Sequence, residues 1–317
     1  MEENKERDVQ NGDISVEKSR FGFFRDVAAG AGIGVAFIIP GFSGGSVAAI
    51  LGIYEKMINA IANVFREMKK SILTLLPIGI GLVLGALALL FPLEIMLDRF
   101  PLPTVSVFVG LALGGVPLIF EKVSGGLKRG EIISLSGSLV FAALLSFIPV
   151  GTEVDLFGIG FGGYVLLFFV GMIGSCALVV PGISGSMLLL ILGYYNPLIS
   201  LITNHLLKLD NIGRCILILG SCGLGMAAGF LLISIVMKKL LSSYPRRTYA
   251  AIIGFIIGSL PTVYVSTMKS AGMITQSLEA VSLPSSPIHY AVCLFFLIMG
   301  ACASYNFAIL AGKRRAD

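Results

Sequence analysis

Long hydrophobic stretches without charge, separated by short polar loops, run through most of the chain. Seven of them are long enough to cross a bilayer as a helix, at about residues 72–91, 103–120, 132–149, 162–180, 214–237, 248–268 and 289–311. The stretches are too long, and their alternation of apolar and polar positions is too weak, for membrane strands. The pattern therefore predicts an all-α integral membrane protein.

One segment within this pattern occurs twice. Residues 40–58 read PGFSGGSVAAILGIYEKMI and residues 181–199 read PGISGSMLLLILGYYNPLI, with nine identical positions at a constant offset of 141. A second similarity follows downstream, where GLALGGVP (110–117) matches GFIIGSLP (254–261) at an offset of 144. Low complexity would not keep one register across such a mixture of Pro, Gly, Ser and Tyr. We infer an internal duplication.

Each copy of the segment interrupts a helix. The apolar run over residues 21–39 must stop being helical near Ile39, because Pro40 disfavours helical geometry in the residue before it. After PGFSGG we expect a second helix from about Ser46 to Phe65. Each repeat is then a helical hairpin broken at PGxSG, followed by three transmembrane helices.

Lysine and arginine counts in the loops predict the orientation of the chain. Residues 1–25, 66–70, 122–129, 238–247 and 313–315 hold five, three, three, four and three of them, whereas 92–102, 150–158 and 269–288 hold one, none and one. With the basic group in the cytoplasm, both termini are cytoplasmic. The first hairpin then starts and ends inside, and the second starts and ends outside.

The two membrane repeats, residues 21–150 and 151–312, therefore have opposite topology within one membrane domain. A disordered cytoplasmic tail (1–20) precedes them and a basic tail (313–317) follows them. Inverted repeats are a recurring plan of secondary transporters, because exchanging the conformations of the two halves converts an inward-open state into an outward-open one. A duplicated channel would share this architecture.

Composition supports a membrane protein and argues against a nucleic-acid partner. The chain is 56% hydrophobic and 13% charged, and its mean hydropathy of +0.93 is too high for a soluble domain. The net charge of +5 comes largely from basic residues in short loops and tails. Orientation in the bilayer explains those charges better than binding to nucleic acid does.

The two breaks have the composition of an anion-binding site. A helix that follows a Gly/Ser loop presents backbone N–H groups without intrahelical partners, and its dipole favours negative charge. We expect Ser46 and Ser186 to be N-caps, and the hydroxyls of Ser43 and Ser184 to add donors. The candidate binding residues are Gly41, Ser43, Gly44, Gly45, Ser46, Gly182, Ser184, Gly185 and Ser186. The alternative is a turn that only lets helices pack.

Two charged residues extend this hypothesis. Arg25 is a further candidate for contact with an anion, or else it anchors the first helix at the interface. On a straight helix Glu55 would lie about 15 Å from the cytoplasmic surface, which makes it a candidate for coupling to H⁺ or Na⁺. The alternative for Glu55 is a pair with Lys56 or another loop cation. Asn196 replaces Glu55 in the second copy.

The sequence offers little for catalysis or for a metal. It contains no HExxH motif and no carboxylate cluster, and a serine without a neighbouring base would be inert, so we do not expect an enzyme. His205 and His289 have no ligand-spaced partners, and the five cysteines lack CxxC spacing. We therefore expect no metal, disulfide or cofactor. The oligomeric state is not indicated.

The motifs PGFSGG…LGIYEKMI, PGISGS…LLILGYY and GFIIGSLP resemble the DUF368 family, over about residues 21–310. That family is identified as polyprenyl-phosphate (undecaprenyl-phosphate) translocases of bacteria and archaea. The resemblance implies a cell-membrane protein that returns undecaprenyl phosphate from the outer to the cytoplasmic leaflet, for reuse in cell-envelope polymer synthesis. The paired breaks would hold the phosphate, with the tail in lipid or in a lateral groove.

One position departs from the family. An acid often stands three positions before the first Pro-Gly in DUF368 proteins, whereas Phe37 stands there in this chain. Glu55 must then substitute for that acid, or coupling differs. Two other functions stay open at this point, namely a secondary transporter of a small soluble anion and a non-transporting membrane scaffold.

Overall fold

The computed structural model describes residues 22–36, 43–123, 126–145, 147–149, 151–206, 208, 211–270 and 287–313. Within these residues the regular structure is helical and no strand occurs, which confirms the predicted all-α class. The tail over residues 1–20, Phe37, Gly41 and everything after Lys313 lie outside the described residues.

The described helices follow the predicted apolar stretches closely. A first helix, α1, is described over residues 22–36. The others are α2 Gly44–Ile50, α3 Tyr54–Ala62, α4 Met68–Arg99, α5 Pro101–Glu121, α6 Arg129–Leu145, α7 Phe161–Val179, α8 Gly185–Ile191, α9 Tyr195–Ser200, α10 Ile212–Ser243, α11 Pro245–Ser270 and α12 Pro287–Lys313, with a π-helix at Leu201–Leu206 after α9.

Among the described residues, five segments are long and apolar enough to cross a membrane, and they lie in α4, α5, α10, α11 and α12. The number rises to six if α8 and the segment Tyr195–Leu206, which meet at 107°, form one broken span. The predicted stretch at 132–149 corresponds to α6, whose 17 residues are at the short end of what spans a bilayer. A multi-pass helical membrane protein is thus confirmed.

The predicted helix from Ser46 to Phe65 is wrong. The chain forms α2, turns at Leu51–Ile53, and resumes as α3. Gly52 causes the turn, because its φ of +68° is unfavourable for residues with a side chain. The second copy turns in the same way at Gly193, whose φ is +78°. The identical Leu-Gly pairs of the two copies were therefore helix-ending signals.

The duplication is visible in backbone geometry. Helices α4 and α10 both contain 32 residues and stand 144 positions apart. They end at Phe100 (φ −136°, ψ 58°) and Tyr244 (φ −135°, ψ 52°), and a proline then starts the next helix in both copies. The Oγ1 atoms of Thr104 and Thr248 donate to equivalent carbonyls at 2.7 and 2.9 Å. The same turn is thus built twice.

Helix packing repeats glycine for glycine. A Cβ at Gly81 of α4 would collide with the carbonyl of Val27 in α1, and a Cβ at Gly225 of α10 would collide with that of Phe168 in α7. Glycine at these positions lets the two backbones approach directly, as in other membrane helix pairs. The α1–α4 and α7–α10 pairs therefore have matching interfaces.

The two halves also exchange helices. α5 of the first half packs on α12 of the second, α6 of the first packs on α11 of the second, and α5 also contacts α11. The glycines of the second repeated motif make the first two contacts possible. Gly110 lies against Leu297 of α12, and Gly254 lies against Leu135 of α6. The halves are consequently interlocked rather than side by side.

Basic segments gather at one end of the molecule, which we call the basic end. Three contacts join them, namely Lys122 with Glu55, Lys238 with Asn63 and Arg246 with Glu131. At the other end of α10, about 48 Å away along a 32-residue helix, the loop over residues 151–159 packs on the second hairpin. There the Val154 N–H donates to the Gly193 carbonyl at 3.2 Å.

Candidate functional site

The two breaks have nearly the same local geometry. Ser43 (φ −106°, ψ 125°) precedes α2 and Ser184 (φ −91°, ψ 122°) precedes α8, so these two serines are the N-caps. The expectation that Ser46 and Ser186 would be N-caps is wrong, because both lie within the short helices. Neither Ser43 nor Ser184 makes a side-chain cap hydrogen bond. Their hydroxyls are thus not used to cap the backbone N–H groups of the helix that they start.

Both short helices end in a Schellman motif. In α2 the Gly52 N–H donates to Ala49 and the Ile53 N–H donates to Ala48, at 3.1 and 3.0 Å. In α8 the Gly193 and Tyr194 N–H groups make the equivalent bonds at 3.0 and 2.9 Å. Each helix has seven residues, about 10 Å in length, so neither crosses a bilayer. Both breaks therefore start a short helix that ends within the fold.

The first break leaves a polar atom without a partner. Ser43 is 5% exposed, and its Oγ has no hydrogen bond among the described residues. Ser46, one turn later, is buried as well. Leaving a buried hydroxyl unpaired costs on the order of 1–3 kcal/mol. A ligand oxygen at this position would remove that cost.

The second break is closed more tightly. Gly182 has a φ of +87°, and a Cβ there would collide with the backbone of Phe255 in α11. Only glycine meets both conditions. The Oγ atoms of Ser184 and Ser186 lie 2.9 Å apart and share a hydrogen bond. The two serine hydroxyls at this break therefore have each other as partners.

Tyr54 connects the first hairpin to the second break. It is the first residue of α3, it is buried, and its hydroxyl donates to the Val179 carbonyl at 3.0 Å. Val179 ends α7, two residues before Pro181. The identical tyrosine of the repeated motif is thus a structural link between the copies.

Arg25 lies near the start of the described part of α1. Its guanidinium, half-exposed, stands 3.8 Å from the Asp26 carboxylate. Asp26 is buried and is also paired with Lys56 at the start of α3. Gly32, two turns further along α1, packs against Val47 of α2. The described contacts therefore place Arg25 in a charge cluster with Asp26 and Lys56, which the sequence did not predict.

Glu55 lies at the basic end, on the second residue of α3. Its carboxylate accepts a hydrogen bond from the Tyr249 hydroxyl and stands 3.8 Å from Lys122 Nζ, with the side chain 49% exposed. The straight helix assumed for its depth does not exist, and a loop cation is its partner. In the second copy Asn196 donates to Glu153 at 2.8 Å. The role of Glu55 in coupling stays a prediction.

A groove that the sequence did not predict runs between α10 and α11. It has a volume of about 480 Å³ and begins at the turn that joins these helices, beside Tyr244 and Arg247. It ends beside Val180 and Ile183, which flank the second break. The loop count had assigned Arg247 to membrane orientation only. Its place at the mouth of a groove depends on how α10, α11 and α6 pack.

In the described part of the chain, no group of three or more His, Cys, Asp or Glu side chains could hold a metal ion. The two breaks can supply hydroxyl and backbone donors, close backbone approach and apolar walls to a ligand.

Comparison with known proteins indicates what these features serve. Residues 33–281 match the model of an undecaprenyl phosphate translocase-like family. A polyprenyl-phosphate transporter of Staphylococcus aureus (strain NCTC 8325 / PS 47) is 32% identical over 270 residues, which cover 75% of this chain and 85% of the relative. No solved structure matches the chain.

Proposed function

The chain belongs to the undecaprenyl phosphate translocase-like family, and from this premise we propose that it moves a polyprenyl phosphate across the cell membrane. The proposed direction is from the outer to the cytoplasmic leaflet, where the carrier lipid would be reused for cell-envelope polymers. Such a substrate has one phosphate and a long apolar tail. The protein must therefore offer donors to the head group and keep the tail in an apolar environment.

The phosphate is held, in this proposal, between the two breaks. Ser43, Gly44 and Gly45 would contribute from the first, with Ser46 close behind, and Gly41 is included from the sequence. Gly182, Ser184, Gly185 and Ser186 would contribute from the second. The first N–H groups of α2 and α8 have no intrahelical acceptor, which makes them donors for an anion. The main observation that supports this site is the Oγ atom of Ser43, which is buried and has no hydrogen-bond partner.

Alternating exposure of this site follows if the repeats are inverted. Two observations support inversion. The turns at Phe100 and Tyr244 have the same backbone conformation. However, the segment 238–247 around Tyr244 contains four basic residues and lies at the basic end, whereas the segment 92–102 contains one. Equal backbone with unequal charge fits two copies that face opposite sides of a membrane. Both termini would then be cytoplasmic.

The proposed transport also needs an energy source. Glu55 is the candidate for an H⁺ or Na⁺ site, since it is an acid in the repeated motif whose counterpart is uncharged. Its half-exposed position beside Lys122 also suits a simple surface pair, which contributes about 0–1 kcal/mol. Arg25 is proposed to attract the anionic head group before it reaches the breaks.

Binding by the purified full chain in nanodiscs tests the proposal. Undecaprenyl phosphate, undecaprenyl pyrophosphate, inorganic phosphate and an uncharged polyprenol would each be offered to wild type and to Ser43→Leu/Ser184→Leu. We expect wild type to prefer the lipid monophosphate, and the double variant to lose that preference while staying folded. Competition by inorganic phosphate as strong as by the lipid would instead support a transporter of a soluble anion.

A matched control separates the site from general loss of hydroxyls. Ser234 is fully buried in α10, and its Oγ donates to its own helix at 2.7 Å. Ser234→Ala should leave lipid binding unchanged, whereas Ser43→Ala/Ser184→Ala should weaken it about tenfold. Equal binding of all lipids by wild type, or equal behaviour of all variants, would reduce the breaks to packing devices and favour the scaffold.

A further inference from the structure

The groove between α10 and α11 combines an apolar channel with a single cation at its mouth. On α11 the lining positions Arg247, Ala251 and Phe255 recur every four residues, so they form one face about 12 Å long. On α10 the facing positions run antiparallel, from Tyr244 back to Ile233. The groove thus extends from the helix turn at the basic end to the side of the second break.

Arg247 is a positioned cation without an anionic partner. Its guanidinium packs against Gly130 of α6, where a Cβ would approach Nε to 2.6 Å, and stands 5.8 Å from the ring centroid of Tyr244. Among the described residues it makes no ion pair and no hydrogen bond. A guanidinium held in this way has its donors available for a phosphate.

The neighbouring arginine shows the contrast. Arg246 stands 3.6 Å from the Glu131 carboxylate and donates to the Gly126 carbonyl at 2.6 Å. Arg246 therefore fixes the loop before α6 to the start of α11, and its charge is already paired. Of the two adjacent arginines, only Arg247 lines the groove and has a free charge.

The walls of the groove suit a hydrocarbon chain. Beyond the mouth most lining side chains are apolar, and a volume of about 480 Å³ lies within the range of roughly 300–1,000 Å³ usual for ligand sites. Val236 and Leu240 line the groove and are also exposed, so it is open along one side. In a membrane that opening faces lipid tails. A chain can therefore enter sideways without leaving the bilayer.

We propose that this groove is a second lipid-binding site, in which Arg247 holds the phosphate of a polyprenyl phosphate and the groove holds the first units of its tail. The proposal rests on the proposed function and adds a site that is distinct from the paired breaks. Its inner end at Val180 and Ile183 adjoins the second break, so it provides the exit through which the lipid leaves into the leaflet at the basic end. The equivalent of Arg247 in the first repeat is Pro103, which carries no charge.

The test uses the absence of tryptophan from the chain. Phe255→Trp places a single indole in the inner part of the groove as an aromatic-for-aromatic exchange. In nanodiscs of phosphatidylcholine, undecaprenyl phosphate should change the emission of this indole in a saturable way. In the same background, Arg247→Gln should weaken undecaprenyl phosphate about tenfold and leave an uncharged polyprenol unaffected. Ala251→Phe, which fills the groove, should weaken both lipids.

Matched controls test whether the effects on binding are specific to the groove. Lys239→Gln removes one exposed basic charge from the same end of α10 without touching the groove, and Ala227→Phe adds the same ring to an exposed face of α10. Both should bind like the parent. Arg247→Lys should recover part of the affinity, because it restores the charge but not the two-pronged donor geometry. Thermal melting of each variant shows that it is folded.

The outcomes separate this proposal from the proposed function. If the parent binds undecaprenyl phosphate, and Arg247→Gln and Ala251→Phe bind it equally well, the groove site is overturned while the translocase proposal stands. If Lys239→Gln weakens binding as much as Arg247→Gln, the effect is general surface charge and the groove site is also overturned. If the parent binds no polyprenyl phosphate at all, the proposed function fails and the groove site fails with it.

Discussion

The first and second repeats share a backbone but not a distribution of charge. The turn at Phe100–Pro101 and the turn at Tyr244–Pro245 agree to within a few degrees, and threonine closes both with the same hydrogen bonds. Yet the positions after the two prolines are Leu102 and Pro103 in one copy and Arg246 and Arg247 in the other. Backbone equivalence and side-chain equivalence are therefore separate properties in this fold.

The difference indicates which features serve both halves and which serve one side. The glycine contacts, the short helices and their Schellman ends are common to both halves, as the proposed exchange of conformations requires. Features that meet a particular membrane surface or a particular ligand state need not be. The arginines at the α10–α11 turn and the unpartnered Ser43 hydroxyl belong to this second group.

The largest effect is expected where the repeats are most alike. Gly81→Val and Gly225→Val should each abolish stable folding, because the new side chain would displace the backbone of α1 or α7, at a cost of several kcal/mol. Gly79→Val and Gly223→Val, at equivalent positions that face open space, are the matched controls and should remain folded. Monodispersity in detergent and the midpoint of thermal unfolding measure this. Tolerance at one of the two packed positions would break the equivalence of the interfaces.

Intermediate effects on stability are expected at the two N-cap serines, and the two effects should have opposite signs. Ser43→Ala removes a buried hydroxyl without a partner, so the free energy of unfolding should rise by about 1 kcal/mol in the absence of lipid. Ser184→Ala breaks the hydrogen bond with Ser186, so the free energy of unfolding should fall by about 1 kcal/mol. Thermal unfolding without lipid gives both signs. A loss of stability in Ser43→Ala would mean that this hydroxyl has a partner and is not reserved for a ligand.

The smallest effect on stability is expected at Glu55 and its counterpart Asn196. Glu55→Gln keeps an acceptor for Tyr249 and removes only a half-exposed pair with Lys122, so stability should change by less than about 1 kcal/mol. Lipid transport by Glu55→Gln into liposomes should lose its response to an imposed H⁺ or Na⁺ gradient, and Asn196→Ala should keep that response. An unchanged response in Glu55→Gln would remove Glu55 from the coupling mechanism.

Local sequence signals predicted the helical architecture well and the hairpins less well. Apolar length identified the crossing helices, and each repeated motif contains the start of a short helix, α2 or α8. The straight helix predicted after the first break was wrong because Gly52 ends α2 with a positive φ, and glycine after a hydrophobic helical segment is a common helix terminator. The N-caps were predicted three residues too late in the first copy and two residues too late in the second, since serine stands at both positions in each copy and the sequence alone does not choose between them.

The sequence by itself determined the membrane class and the duplicated motif, because helix length and repeat register are properties of neighbouring residues. Only the tertiary structure decided which charges remain unpaired. Arg246 and Arg247 are adjacent in the chain, and packing against α6 gives one of them a carboxylate and the other the mouth of a groove. Ion pairs and cavities depend on residues that are distant in sequence, and those distances are fixed only when the helices pack.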